Sequence, residues 1–203
     1  EIDNKTTLVE GAELNIASAN VIAKGDVDVT GNGAINFTAL SAKLVTLTEG
    51  LTIVDQVNNP DYKVVYKEGA YQFVQKVYVA QIGENKYESL QEAIDAAQDG
   101  DEIVVLEDIV LTEGITVAAD DNMTLDLNGK TITGTPAEAK AFAVITNKGN
   151  LTITDGTETE GKIVCDHKLA GSTDYAVNTI TNSGTLTIVA GTIQNTSTAS
   201  NQI

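Results

Sequence analysis

KYESLQEAIDAAQDGDEIVVL, residues 86–106, decides the fold. Leu90, Ala93, Ile94 and Ala97 recur at i, i+3, i+4 and i+7, so one face of a helix over residues 88–97 is apolar. Ser89 is placed to cap that helix, and Glu92 three residues on completes a capping box. Gly100 is placed to stop it. After Asp101 comes a wholly apolar strand, then many short strand-like segments and no further helix. The stripe of one Leu, one Ile and two Ala is small. It suits a helix lying flat over the open end of a stack of strands.

The segments that follow are residues 103–106, 115–118, 123–127, 130–133, 142–146, 151–154, 162–165, 177–181, 186–189 and 192–194, joined by tight polar corners. Runs of three to five residues fit a coil of about three strands per turn. Parallel strands cannot be joined by hairpins, and a coil meets that constraint because each strand pairs with its equivalent one turn later. The internal similarity agrees. TNKGNLTITDG (residues 146–156) matches TNSGTLTIVAG (residues 181–191) at seven of eleven positions, an offset of 35. Gly161-Lys162-Ile163 matches Gly191-Thr192-Ile193 at an offset of 30, so the first copy carries a longer corner containing TETE, residues 157–160. Segments that hold their strands and vary in their corners are typical of stacked coils. Asn147 and Asn182 correspond, and stacked Asn side chains can bond along a coil; an ordinary polar turn is the other reading.

The expected fold is therefore all-β: a right-handed parallel β-helix over residues 78–203, beginning with the cap helix and continuing past the C-terminal end, preceded by a smaller β-rich module over residues 1–77. Residues 78–84 read as the first strand of the second module. In the first, short segments at 13–16, 26–30, 34–37, 43–47 and 51–54 fit either a sandwich or coil turns. Residues 62–66 and 71–74 around Lys67-Glu68-Gly69 form an expected terminal hairpin. Four of the six tyrosines lie between Tyr62 and Tyr78. They serve cross-strand packing or, if exposed and coplanar, a sugar-stacking platform.

Composition narrows the function. The chain has 29 acidic and 12 basic residues, a net charge of −17, and every basic residue is Lys. Such a surface repels phosphates, which argues against nucleic acid. No apolar run approaches the ~18 residues a membrane span needs. The two ends read as cuts within a longer chain, so any secretion signal and anchor are expected outside it, and the module is expected to be extracellular or on the cell surface and monomeric.

The residues 86–106 segment, with its Gly100-Asp101 pair, resembles the N-terminal cap and first rung of pectate-lyase-like β-helix proteins. MTLDLNGKTITG, residues 123–134, resembles a segment recurring in large repetitive bacterial surface proteins described as adhesins. The resemblance covers about residues 78–203. It implies a non-catalytic module, adhesin or stalk, presenting a face to a host or cell-surface protein or glycan. The alternative it carries is a polysaccharide lyase or glycoside hydrolase, or a remnant of one.

The enzymatic alternative needs residues this chain barely supplies. Lyases of that family imply an Arg or Lys base beside Ca²⁺-binding carboxylates, and there is no Arg. A hydrolase needs carboxylates facing one another across a sugar. Asp166-His167-Lys168, with Asp155 near in sequence, is the one candidate, and a solvated corner is its ordinary reading. Catalytic and cofactor-binding residues are accordingly expected to be absent. A structural Ca²⁺ is the one ion considered. Asp120, Asp121, Asn122 and Asp126 supply hard oxygen ligands around a loop, although a polar turn uses the same residues. Cys165 has no disulfide partner and reads as a small residue in a buried strand; His167, two residues on, would share its face. One His and one Cys are too few for zinc.

Overall fold

The computed structural model describes residues 2, 4–18, 21–138, 140–167 and 176–197. The chain divides into two compact units, Glu1–Lys76 and Val77–Ile203. The protein is all-β, with one helix among the described residues.

The second unit opens with β10 (Ala80–Ile82), β11 (Asn85–Tyr87) and α1 (Leu90–Ala96), once the first unit's strands β1–β9, given below, are counted. Then come β12 (Asp101–Val105), β13 (Ile109–Leu111), β14 (Ile115–Val117), β15 (Asn122–Asp126), β16 (Thr131–Gly134), β17 (Phe142–Asn147), β18 (Asn150–Thr154), β19 (Lys162–Cys165), β20 (Val177–Asn182), β21 (Thr185–Ile188) and β22 (Thr192–Asn195). Successive strands go to three sheets in rotation. From β12 onward the sheets are β12-β15-β18-β21, β13-β16-β19-β22 and β14-β17-β20, and every pairing within them is parallel. Thr146 stands beside Thr181 and Asn147 beside Asn182, so the two similar sequence segments are neighbours in one sheet.

Alternation explains the core. Met123 and Leu125, then Leu151 and Ile153, point inward, while Thr124 and Thr152 point out. Ile103, Leu125, Ile153 and Ile188 form one inward column. The first three are at most 2 % exposed, whereas Ile188 at the last strand is 49 % exposed.

The helix folds for the reasons its sequence suggests. Ser89 Oγ accepts the Glu92 N–H at 3.1 Å and Glu92 Oε2 accepts the Ser89 N–H at 3.2 Å, the reciprocal capping box. Leu90, Ala93 and Ile94 are buried, and Ile94 shares a space with Ile103, Ile115 and Val117 too small for water. Gly100 does not end the helix. Ala97 does, by turning extended (φ −63°, ψ 142°). Gly100 (φ +85°) instead serves the next turn, where Gln98 donates to Asp101 Oδ2 at 2.8 Å.

Two further expectations change, and one turn has an unusual use. Residues 78–84 are not one strand, because Gly83 (φ +56°) folds β10 back on β11, and that antiparallel pair lies on β12. β13 had no counterpart among the expected segments. Leu127-Asn128-Gly129-Lys130 is a tight turn with positive φ at both central residues (49° and 70°), closed by Lys130 N–H to Leu127 C=O at 2.8 Å. Asn-Gly in that geometry ordinarily joins a hairpin; here it turns the chain from β15 into β16, in a different sheet.

The first unit contains β1 (Thr6–Leu8), β2 (Glu13–Ile16), β3 (Val21–Ala23), β4 (Val27–Val29), β5 (Ala34–Phe37), β6 (Lys43–Thr46), β7 (Ile53–Asp55), β8 (Tyr62–Lys67) and β9 (Ala70–Gln75). Pairings among β1–β7 are all parallel: β1 with β4, β2 with β5 and β5 with β7, β3 with β6. That removes the hairpin-built sandwich as a description of this segment. The hairpin β8-β9 turns through Glu68-Gly69 and pairs antiparallel with β6. Tyr66 and Tyr71 pack at 4.9 Å with rings tilted by 52°, and Tyr71 is 5 % exposed. This pair is packing, not a coplanar sugar platform.

Candidate functional site

In parallel register, outward residues line up in columns about 4.8 Å apart along the sheet. On the β12-β15-β18-β21 face the columns are Glu102-Thr124-Thr152-Thr187, Val104-Asp126-Thr154 and Asn122-Asn150-Thr185. On the β14-β17-β20 face Thr116, Thr146 and Thr181 align. On the remaining face Val110, 69 % exposed, begins the column Val110-Thr133-Val164-Gln194. The threonines put hydroxyl donors and acceptors in rows, suited to many weak contacts with an extended polar ligand. The β-branched side chains are stiff at χ1, so little rotamer freedom is lost on contact.

The acidic residues proposed from sequence are distributed by the fold. Asp120 is exposed in the turn before β15. Asp121 Oδ2 accepts the Ala118 N–H at 2.7 Å, and Asn122 Nδ2 donates to Asp99 Oδ1 at 2.7 Å. Asp126 lies at the far end of the five-residue strand β15, about 13 Å from Asn122 at ~3.3 Å per residue. The loop residues and Asp126 are thus not brought around one point. Among the described residues, no group of three or more His, Cys, Asp and Glu is placed to share a metal ion.

Asp126 and Asp155 hold corners together. Asp126 Oδ1 accepts N–H groups of Asn128 and of Gly156, both at 2.9 Å. Asp155 accepts the N–H of Gly129 at 2.8 Å and of Gly161 at 2.6 Å, and Thr157 Oγ1 donates to it at 3.2 Å. Partial burial pushes the Asp155 carboxyl upward, but these donors outweigh it and hold the group below the ordinary carboxylate value.

His167 does not sit on a solvated corner: it is 1 % exposed. Cys165 is fully buried on the same side, and Ser197 Oγ lies 3.5 Å from its Sγ while accepting the His167 N–H at 3.2 Å. Burial pushes the Cys165 thiol up, away from the reactive thiolate. Among the described residues, neither ring nitrogen of His167 has a partner. Asp166 faces the other way and accepts Thr196 Oγ1 at 2.9 Å. Lys168 lies outside the described residues. Asp166 and His167 therefore face opposite sides and do not converge as an acid–base pair.

One role has no sequence signal, and one follows a reading the repeat offers. Gln91 on α1 accepts the Thr116 N–H at 2.8 Å and donates to the Thr116 C=O at 3.0 Å, so its amide takes the place of a strand on the edge of β14. Asn147, fully buried, donates to Asn182 Oδ1 at 2.7 Å and Thr185 C=O at 2.9 Å, which is the ladder reading of that position.

No helix among the described residues is long and apolar enough to cross a membrane. No protein-family model, no curated protein and no solved structure matches this chain.

Proposed function

We propose that residues 77–203 are a segment of a right-handed parallel β-helix of the pectate-lyase-like type, and that it serves as a non-catalytic cell-surface module binding a protein or glycan along a solenoid face. The observation that carries this reading is the rotation of strands through three parallel sheets, with threonine columns directed outward. Parallel sheets are ordinarily covered on both faces by crossover helices. A coil dispenses with those helices, because the crossovers are the strands of the other two sheets. One face of each sheet then stays free for contact. The side-chain amide of Gln91 and the hairpin β10-β11 cover first-rung edges at the helix end, which supports a coil beginning there.

The carboxylates support a structural use. Asp121, Asp126 and Asp155 each accept backbone N–H groups of turns. Contacts to a ligand would be numerous and individually weak, spread over Thr124, Thr152, Thr187 and their neighbours. A glycan array combined with a screen of extracellular-matrix proteins tests the reading. Saturable binding weakened by Thr152→Lys supports it. Release of oligosaccharides from pectin-type or host polysaccharides with Ca²⁺ present overturns it in favour of a carbohydrate-active enzyme.

A further inference from the structure

The first unit lacks one strand that its own pattern calls for. Its strands visit three sheets in turn: β1, β2, β3, then β4, β5, β6. On the third round β7 joins β2 and β5, but among the described residues nothing joins β1 and β4, whose sheet stops at two strands. The third round is short. Glu13 pairs with Ala34, 21 residues on, whereas Ile35 pairs with Ile53, only 18 on.

The segment that would have filled the place is pulled elsewhere. Thr46 N–H donates to Gly69 C=O at 3.0 Å, Tyr66 Oη donates to Thr46 C=O at 3.0 Å, and Leu51 N–H donates to Tyr71 Oη at 2.6 Å. Residues 47–52 are thereby tied to the hairpin, and Leu47 is left 87 % exposed. One side chain compensates: Thr48 Oγ1 accepts the Val27 N–H at 3.0 Å.

That bond shows which way the edge faces. Thr6 N–H donates to Asp26 C=O and Thr30 N–H to Leu8 C=O, both at 2.8 Å. In a parallel ladder alternate peptide groups point to opposite sides, so those of Val27 and Val29 point away from β1. Beside Val29 lies an open groove of about 330 Å³, lined also by Gly31, Gly33, Gly50, Thr52 and Val54. A Cβ at Gly50 would meet no atom within 4 Å, so another backbone has room to approach there, whereas Gly31 and Gly33 already lie against Glu10 and Leu8.

We propose that this free edge of β4 and its groove accept an extended, lysine- or arginine-flanked peptide segment as the third strand of the sheet. Its backbone would pair with the peptide groups of Val29, and a small β-branched side chain would enter between Gly33 and Thr52. This is strand addition, in which main-chain bonds supply affinity and pockets supply selectivity. The sign of the flanking charge follows from the surroundings. Asp28 lies on β4 and Asp26 just before it. Glu10 lies against Gly31, and Glu49 adjoins Gly50. Lys5 is engaged by Asp28 at 2.5 Å. The proposal does not rest on the reading of the second unit, and either can fail alone.

The test is fluorescence anisotropy of the whole chain with an end-blocked, labelled Lys-Val-Thr-Val-Lys peptide. Saturable binding is expected, about tenfold or more weaker for Glu-Val-Thr-Val-Glu. Val29→Pro removes the edge N–H but none of the β1-β4 ladder, and Thr52→Trp fills the groove from an exposed position. Each is expected to weaken binding about tenfold or more, and Thr52→Trp to leave the melting temperature unchanged. Absence of saturable binding, equal binding of the Lys and Glu peptides, or binding undiminished in folded Thr52→Trp overturns the proposal.

Discussion

Asp126 and Asp155 each cap the other's corner. Asp126, at the end of β15, accepts the N–H of Gly156 at 2.9 Å, and Asp155, just past β18, accepts the N–H of Gly129 at 2.8 Å. Two carboxylates that a search for acid–base pairs would single out are thus bound to turn backbone. The reciprocity adds to the backbone bonds that already join these corners, Leu127 N–H to Thr154 C=O and Lys162 N–H to Lys130 C=O, both at 2.9 Å.

Asp155→Asn should lower stability by about 2 kcal/mol at neutral pH, because bonds to a charged acceptor contribute ~1.5–3 kcal/mol. The sign with pH follows from the depressed folded value. The unfolded chain binds the proton more readily, so the Asp155 contribution is complete above about pH 4 and is lost as pH falls through the folded value. Urea unfolding of both proteins at pH about 7 and about 3 should show a difference at the higher pH that shrinks at the lower.

Asn147→Ala should cost about 3 kcal/mol, since it strips partners from the buried Gly149 N–H as well as from Asn182 and Thr185. Asn182→Ala, at the exposed end of the pair, should cost about 1 kcal/mol. Denaturant midpoints at constant m-value measure both; equal losses would remove the ladder as the explanation.

Gln91→Leu keeps the helix and removes the amide that covers Thr116. A loss of about 1–2 kcal/mol is expected, with faster aggregation by light scattering as the β14 edge is uncovered. Deleting residues 88–97 should expose Ile103, Ile115 and Val117 and aggregate further. A deletion variant that stays monomeric and equally stable would count against a capping role.

Gly149→Ala and Gly184→Ala should each destabilise by several kcal/mol or prevent folding. A Cβ at Gly149 would run into the carbonyl oxygens of Ala118 and Asp121, and one at Gly184 into the backbone of Lys148 and Gly149. Gly83→Ala meets no neighbouring atom and carries only the strain of φ +56°, about 1 kcal/mol. Thermal melts of the three variants rank them.

Most of the β-strand pattern was legible because alternation of apolar and polar residues is a local signal. The 35-residue offset between the similar segments matches the pairing of β17 with β20 and of β18 with β21. The capping box was legible for the same reason, since Ser89 and Glu92 lie within one turn. The site was much less legible. Asp126 reads as a possible calcium ligand from sequence, yet it meets a glycine 30 residues on. His167 reads as a polar corner residue, yet it is buried beside Cys165 and Ser197.

By itself the sequence determined which residues face in, where the helix begins and that the chain is a β protein of strong negative charge, since each depends on residue type and near neighbours. Only the tertiary structure decided what the carboxylates, Gln91 and Asn147 bond to, and that, among the described residues, β1 and β4 have no third strand beside them. Those outcomes depend on which corner is stacked on which, and stacking joins residues about 20 to 35 positions apart through backbone groups that carry no sequence signature.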